Sequence, residues 1–596
     1  MTITYIEKPN SEEEIKETLN PLVREWFFRK FKGLSLTQQY GVKPIRDRKN
    51  ILVTAPTGGT KTLTAFLSIL NYLVDLALKS ELEDKIYATY ISPLKSLSND
   101  VHYNLITPLN EIKALALEKK LDMGDIRVGL RTGDTSVSDR QKMARKTPHI
   151  LVTTPETMAI VLTSPKFVEK MRAIEFIIVD EIHALTNKRG VYLSLTLERL
   201  NEASLIEPVR IGLSATISPL DEIARFLVGT DRDCLIADVK LTKKIELGLD
   251  FPGEDILEAE SIENQKKLYY ILDELISENR TTLIFTNTRA ATERIVHYLD
   301  LHFPGKYIGL IGAHHSSMSK EKRFEIEDKL RQGKLKVVVS STSLELGIDI
   351  GSIDKVVLLR SPKSVSRALQ RIGRAGHKLH DNPKGEFIVL DRDDLIECSV
   401  MMKNMIEGKI DNTEIPKNAL DVLAQQIYGM AISKIWDANE MLNLIRKSYC
   451  YSNLSKEDFF SVVSYLAGDY ALEHRHVYAK IWYDEKTGQI GKKGKLARVI
   501  YMTNLGTIPE EGYIDVVVQS PAEKKGSVGK IDEGFLERMK RGDIFVLGGQ
   551  KYQFLFSRGM KAFVRADVSN NPTIPSWFSE MLPLNFELAM DISKFR

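Results

Sequence analysis

Residues Ala55-Pro-Thr-Gly-Gly-Thr-Lys61-Thr62 follow a short β-branched run at 51–53 and open a long apolar stretch. A strand, a glycine-bearing loop, a Lys-Thr pair and a helix together make a phosphate cradle. Loop amides and the helix N-terminus face the anion, Lys61 reaches its terminal phosphates, and the Thr62 hydroxyl helps hold Mg²⁺. Thr57, Gly58, Gly59 and Thr60 would line the cradle. Such a segment, taken alone, also occurs as an ordinary strand-to-helix turn. The usual Gly-Lys-Thr ending is here Thr60-Lys61-Thr62. If residue 60 needs a positive φ, its β-branched side chain costs about 1–3 kcal/mol.

Downstream, the apolar run 176–179 ends in Asp180-Glu181-Ile182-His183. Carboxylates at the C-terminal end of a buried strand lie where open parallel sheets bind ligands. Asp180 would hold Mg²⁺ through its water shell, and Glu181 would orient and deprotonate an attacking water. Ser214-Ala215-Thr216 follows another strand run, so its hydroxyls, with His183, are candidates for coupling nucleotide state to a neighbouring lobe; alone they are a turn. Gln370, Arg371 and Arg374 lie in Gln370-Arg-Ile-Gly-Arg374-Ala-Gly376-His377. Two arginines three apart share a helical face and suit a bidentate clamp on a γ-phosphate. A solvated basic helix end is the plainer alternative.

These residues need rigid elements to position them. Over the first ~400 residues short β-branched runs alternate with amphipathic stretches, the pattern of parallel α/β layers. Strands are expected at 51–53, 87–91, 150–153, 176–179 and 210–213, then at 282–285, 306–311, 336–339, 355–358 and 386–389. A loosely patterned segment at 231–253 reads as the linker between two doubly wound lobes. Helices are expected at 420–431 and 457–466, then a hairpin of 476–483 with 498–502, and a helix at 532–540. The expected domains are 1–235, 236–410, 411–500 and 501–596.

The 596 residues carry 83 Lys and Arg against 80 Asp and Glu, a net charge of +3. Any basic surface must therefore be local. Cys234, Cys398 and Cys450 are too scattered for a disulfide framework or a metal pair. No apolar run reaches the ~18 residues of a membrane span, and the acidic Glu12–Glu14 stretch is unlike a signal peptide. A cytoplasmic protein with no membrane partner is expected.

Together the motifs resemble the superfamily 2 helicases of DExH type, and within them the Lhr (large helicase-related) family of archaea and bacteria. Carrying the likeness are Gln39, Ile91-Ser-Pro-Leu-Lys95, Thr132-Gly-Asp134, Thr153-Thr-Pro-Glu156, Lys188-Arg-Gly190, Thr286-Asn-Thr288, His314-His315, Ser343-Leu-Glu-Leu-Gly347-Ile-Asp349 and Asn504-Leu-Gly-Thr-Ile-Pro509. The resemblance implies an α/β fold with two RecA-like doubly wound lobes, a winged-helix domain and a small, mostly β C-terminal domain. It further implies ATP and Mg²⁺ as cofactors, with Gln39 at the adenine and Gly347 and Asp349 beside the nucleotide. The implied activity is 3′→5′ translocation on single-stranded DNA or RNA, with unwinding of duplexes or RNA:DNA hybrids. Family cores usually continue beyond Pro575-Ser-Trp577, whereas this chain ends at Arg596.

Contacts to a strand's backbone are expected at Ser92, Lys95, Arg131, Thr132, Thr154, Lys188, Arg189, Thr286, Arg289, His315, Ser341 and Ser343. Hydroxyls and basic tips there would touch phosphates without reading bases. Lys492, Lys493, Lys495 and Arg498 would form a basic wing, and Trp577 would stack on a base. Two rival readings stand beside the motor: a binding or annealing module with weak ATPase, and a motor subunit that needs a partner chain rather than acting as a monomer.

Overall fold

The computed structural model describes residues 2–56, 60–93, 101–240, 244–253, 255–256, 262–345, 351–376, 382–468, 471–472, 475–476, 479–503, 505–506, 513–519, 527–566, 572–575 and 582–596. The chain divides into two compact units, Met1–Lys240 with Thr413–Ile508 and Leu241–Asn412 with Pro509–Arg596.

In the first unit eight parallel strands form one sheet: β1 (Ile3–Tyr5), β2 (Ile51–Thr54), β3 (Ala88–Ile91), β4 (Val128–Arg131), β5 (Ile150–Thr153), β6 (Phe176–Val179), β7 (Val209–Ser214) and β8 (Cys234–Asp238). Their spatial order is β1-β8-β2-β7-β6-β3-β5-β4. β2, β3, β5, β6 and β7 are buried along their whole length, as helices on both faces of a parallel sheet require. The register sets Ile91 beside Thr153 and Thr153 beside Arg131, so the loops after β3, β5 and β4 begin side by side.

Residues 413–508 add the helices Leu420–Ser433, Ala438–Lys447 and Lys456–Ala467, with a small antiparallel sheet of Trp436–Asp437, Gln489–Lys492 and Ile481–Asp484. They share one apolar core with the helix Lys188–Ala203, through Leu193 and Leu197 with Leu423, Ile427 and Ile445. Polar contacts inside that core lock the two together: Ser194 with Ser448 (2.6 Å), Arg199 with Gln426 (2.7 Å) and Tyr192 with Tyr501 (2.9 Å).

The second unit holds a six-stranded parallel sheet of β9 (Glu246–Asp250), β10 (Thr282–Phe285), β11 (Ile311–His314), β12 (Val337–Ser340), β13 (Lys355–Leu359) and β14 (Lys384–Ile388), ordered β11-β12-β10-β13-β14-β9. A five-stranded sheet from residues 513–566 docks on it. Its hairpin joins Ile544–Leu547 to Gln550–Ser557 through Gly548 and Gly549, both at positive φ, the conformation a two-residue turn demands. Both turn amides donate to the carboxylate of Glu293, the second at 2.9 Å, and His315 Nε2 lies 2.8 Å from the same group. Arg289 adds bonds to the Tyr513 hydroxyl (2.9 Å) and Ser317 (3.0 Å).

Several expectations are corrected. The linker assigned to 231–253 contains β8 of the first sheet and β9 of the second, so a boundary at 235/236 would cut a strand. Those strands are short, and β9 is half-exposed, which blurs their pattern. The expected strand at 306–311 starts only at Ile311, because Gly305 and Gly309 take positive φ. Residues 498–502 lie in the helix Ala497–Thr503, and the hairpin partner of Ile481–Asp484 is Gln489–Lys492. The expected helix at 532–540 spans Glu533–Arg538. The helix Lys61–Leu78 is long and apolar enough to cross a bilayer, contrary to expectation, but 72% of it is buried inside the unit.

Glu293 is fully buried and serves three donors. Glu293→Ala removes the acceptor they share and is predicted to destabilise the second unit by about 3–5 kcal/mol. Urea unfolding measures this; a midpoint equal to wild type would show that the carboxylate does not hold the C-terminal sheet.

Candidate nucleotide site and nucleic-acid interface

In the first unit the cradle is built at the C-terminal ends of three neighbouring strands, β2, β7 and β6. Thr60 precedes the helix Lys61–Leu78 in the left-handed region at φ 56°, so the conditional strain attached to a β-branched residue there is present. Its hydroxyl lies 2.6 Å from that of Ser35, which caps the helix Leu36–Arg46. Gln39 lies on that helix, half-buried, with its amide on the Leu34 carbonyl at 3.3 Å. Lys61 is buried and its ammonium donates to the carbonyls of Ala55 (2.8 Å) and Pro56 (3.0 Å). Thr57, Gly58 and Gly59 lie outside the described residues.

Asp180 ends β6 and is buried. Its Oδ2 accepts from the Thr62 hydroxyl at 3.1 Å and from the phenol of Tyr90, and its Oδ1 accepts from the Glu181 amide at 2.7 Å. Burial, then the charge of Glu181, raises its pKa from 3.8 to about 6. A desolvated carboxylate beside a hydroxyl at a helix head is the hard-oxygen donor set that suits Mg²⁺. Glu181 itself takes φ 50°, and its carboxylate lies 3.3 Å from His183 Nε2. The Ala215 amide donates to His183 Nδ1 at 3.1 Å. That bond makes Nδ1 the acceptor, so Nε2 carries the proton toward Glu181. Ser214 Oγ is 3.5 Å from the same ring, while Thr216 is half-buried. A chain of contacts thus runs from Glu181 through His183 to the loop after β7.

In the second unit Arg371 is fully buried on the helix Val365–Ile372. Its Nε donates to Glu345 at 3.1 Å and its Nη1 to Asn287 at 3.2 Å, while Nη2 is buried with no hydrogen-bond partner among the described residues. Burial pushes its pKa down and Glu345 opposes that. An orphaned guanidinium donor fits an incoming phosphate oxygen. Arg374 is also buried, and Gln370 is half-buried. Gly347 and Asp349 lie outside the described residues.

The strand-facing set divides. Ser92, Thr132 and Thr154 are buried side by side at the ends of β3, β4 and β5, with Thr154 capping the helix Pro155–Val161. Arg131 lies flat against Phe167, 4.2 Å from the ring centre. Thr286 and Ser341 are buried after β10 and β12; Thr286 bonds to Thr292 at 2.8 Å, and Ser343 lies 2.7 Å from His314 Nδ1. Other expectations are corrected. His315 is fully buried against Glu293, leaving no face for a strand. Arg289 is turned into the C-terminal sheet. Arg189 grips Glu156 with two bonds and the Pro93 carbonyl with a third (2.6 Å), so it braces two loops. Lys188 pairs with Asp421 at 2.7 Å on the surface. Lys492 and Lys493 are exposed at the end of the wing strand, and Arg498 lies on the following helix. Lys95 and Trp577 lie outside the described residues.

Sequence reasoning missed Tyr90 and Ser35, and it quoted Glu156 and Glu345 only within motifs, without a role. A tyrosine in a fully buried strand was the available signal, because its hydroxyl needs a partner.

The parallel sheets and the phosphate cradle define a helicase motor core of two RecA-like lobes with a winged helix. The family profile of the DEAD/DEAH box helicases matches residues 35–224, the helicase conserved C-terminal domain matches 264–378, and the winged helix domain of large helicase-related protein matches 403–574. The chain is 52% identical over its full length to ATP-dependent helicase Lhr-Core of Methanocaldococcus jannaschii, covering 69% of that protein. It is 55% identical over 98% of its length to the Lhr-Core helicase of Methanothermobacter thermautotrophicus, covering 68%. The structure of Mycobacterium smegmatis helicase Lhr bound to ssDNA and AMP-PNP superposes with a TM-score of 0.76 at 33% identity, over 91% of this chain and 67% of that one. The chain belongs to the Lhr-Core family of ATP-dependent helicases and is an ATP-hydrolysing enzyme.

Because folded Asp180 holds its proton more tightly than an unfolded aspartate, its burial destabilises the protein as pH rises from about 4 to about 6, the cost persisting above that. Asp180→Asn is uncharged throughout. It is predicted to melt above wild type at about pH 7.5 and to match it near pH 4. A melting series in pH checks this; a constant offset between the two proteins would contradict the raised pKa.

Proposed function

We propose that this protein is a 3′→5′ translocase and helicase that couples ATP hydrolysis to movement on single-stranded DNA or RNA and to unwinding of duplexes or RNA:DNA hybrids. The observation that carries the proposal is the contact chain Asp180–Glu181–His183–Ala215, which ties the hydrolytic carboxylate to the loop after β7. Support also comes from the related Lhr helicase, whose structure holds ssDNA and AMP-PNP.

In this reading Lys61 binds the terminal phosphates, Thr62 and Asp180 hold Mg²⁺, and Glu181 takes a proton from the attacking water. Mg²⁺ when bound supplies charge neutralisation at the phosphates. Lys61 exchanges its carbonyl partners for phosphate oxygens, and His183 holds Glu181 in position by donating to it. In the second unit the buried Arg371, with Nη2 unpartnered among the described residues, and Arg374 are suited to stabilise charge on a transferring phosphoryl group. Ser92, Thr132 and Thr154, with Thr286 and Ser341, lie at strand ends suited to a strand's backbone, a mode of contact that tolerates any sequence. Lys492 and Lys493 would add charge from the wing. The protein would act in the cytoplasm, where Cys234, Cys398 and Cys450, all buried thiols, remain reduced.

Thr60 favours a second reading, a strand-binding or annealing module with weak hydrolysis, because a strained cradle residue weakens nucleotide binding. Under that reading Thr60→Gly tightens ATP; under the first it does not.

The test is unwinding of partial duplexes with a 3′ or a 5′ single-stranded tail. The 3′-tailed substrate is predicted to be opened with ATP, and Lys61→Ala to abolish opening. Glu181→Gln should lower single-turnover hydrolysis by about 10²–10⁴-fold, and Arg371→Ala by about 10³–10⁵-fold. Opening only of the 5′-tailed duplex, or hydrolysis that survives Glu181→Gln, would overturn the proposal.

A further inference from the structure

Three arginines of the first unit are buried among the described residues, Arg199, Arg210 and Arg232. Arg210 pairs with Glu198 at 2.8 Å, and Arg232 meets Glu198, Glu207 and Asp231. A guanidinium keeps its proton near neutral pH, so a buried one needs a counter-charge. Arg199 departs from this pattern. It is 6% exposed on the helix Lys188–Ala203, and among the described residues its guanidinium makes one hydrogen bond, from Nη1 to Gln426 Oε1 at 2.7 Å. Gln426 is neutral. Its amide nitrogen is spent on the Tyr192 carbonyl (2.8 Å) and the Thr196 hydroxyl (2.9 Å), which fixes its oxygen toward Arg199.

Arg199 lines a cavity of about 620 Å³, a size that holds a small organic ligand. Leu162, Val168, Met430 and Trp436 give it apolar walls, and the exposed Arg172 adds a second cation. The acids of the lining do not serve Arg199. Glu202 pairs with Lys434 at 3.3 Å, and the Lys434 ammonium lies 3.9 Å from the centre of the Trp436 ring. Glu169 is exposed and forms no ion pair among the described residues. The cavity lies at the edge of the sheet where strands begin: Arg172 precedes β6, Leu205 precedes β7, and the Leu205 amide donates to the Arg172 carbonyl at 2.6 Å. Asp180 and Ser214 stand at the opposite ends of those two strands, so the cavity is separate from the nucleotide cradle and from the strand-end residues Ser92, Thr132 and Thr154.

We propose that this cavity is a binding site for a small organic carboxylate. The head group takes the Arg199 donors that Gln426 leaves unused, and the apolar body lies along Leu162, Val168 and Met430. A carboxylate is the group this fold itself places on its other two buried arginines, and its paired oxygens match the guanidinium fork. Val168 belongs to the helix Pro165–Met171 of the lobe, whereas Met430 and Trp436 come from the winged-helix residues. A bound ligand therefore bridges the joint between them and stabilises it. This site stands independently of the motor reading above.

The experiment titrates the full chain with 1-naphthoate, followed by naphthyl fluorescence, beside the neutral 1-naphthylmethanol and the dianionic 1-naphthyl phosphate. The site predicts saturable binding of 1-naphthoate, at least about 10-fold tighter than the alcohol, and a melting temperature that rises with 1-naphthoate concentration. Arg199→Met keeps the apolar stem, and it is predicted to weaken 1-naphthoate by about 10–100-fold while leaving the alcohol unchanged. Arg199→Lys should recover part of that loss, since it restores the charge without the fork. Val168→Phe leaves Arg199 untouched and fills the cavity, so it is predicted to abolish binding even if Arg199→Met fails to fold. No saturable binding of 1-naphthoate up to millimolar concentration would overturn the proposal. So would equal affinity for the alcohol, or binding that survives Val168→Phe, which would place the naphthyl group on an apolar patch elsewhere. Tighter binding of 1-naphthyl phosphate than of 1-naphthoate would overturn the carboxylate assignment.

Discussion

The chemistry open to the first lobe depends on keeping one carboxylate dry. Asp180 sits at the end of a wholly buried strand, beneath the head of the Lys61–Leu78 helix, and is held by Thr62, Tyr90 and the Glu181 amide. Desolvation makes such a group costly in isolation. The same desolvation makes it responsive, because any cation brought near meets a field unscreened by water. Lys61, sheltered on two backbone carbonyls, is the complementary feature: a buried cation held in place by bonds it can exchange. The strained backbone at Thr60 and Glu181 flanks this pair, which is where strain is expected if geometry serves chemistry rather than stability.

Each unit is a composite of distant segments. The winged-helix residues share the core of the first lobe through Gln426, Ser448 and Tyr501, while the C-terminal sheet is pinned to the second lobe by Glu293 and Arg289. Both joints are built from buried polar bonds inside apolar packing, the kind of contact that specifies one arrangement. Appended domains joined in this way are parts of their lobes and not tethered passengers. Loops on an appended domain therefore inherit the rigidity of the lobe beneath them.

Much of this was legible in the sequence for plain physical reasons. Buried parallel strands read as unbroken apolar runs, so β2, β5, β6 and β10 were visible, and their C-terminal ends led directly to Lys61, Asp180 and Glu181. Short or half-exposed strands such as β8 and β9 carry little periodicity and were absorbed into a linker. The helix Ala497–Thr503 was misread as a strand because Val499, Ile500 and Tyr501 are β-formers whose local preference is overridden by packing of Tyr501 against Tyr428. Partner choice was the least legible feature. Nothing in a single sequence says that His315 and Arg289 spend their polar groups on the C-terminal sheet, or that Arg189 is absorbed by Glu156, since those carboxylates lie in other segments.

The His183 bridge joins Glu181 to the loop after β7, and the proposed function makes that bridge the link between hydrolysis and strand engagement. Its most direct test is the steady-state ATP hydrolysis rate of the unaltered protein as single-stranded nucleic acid is added. The account predicts a rate that climbs with strand concentration and saturates. A rate that stays level from no strand to excess strand, with strand binding demonstrated in the same solution, would contradict it.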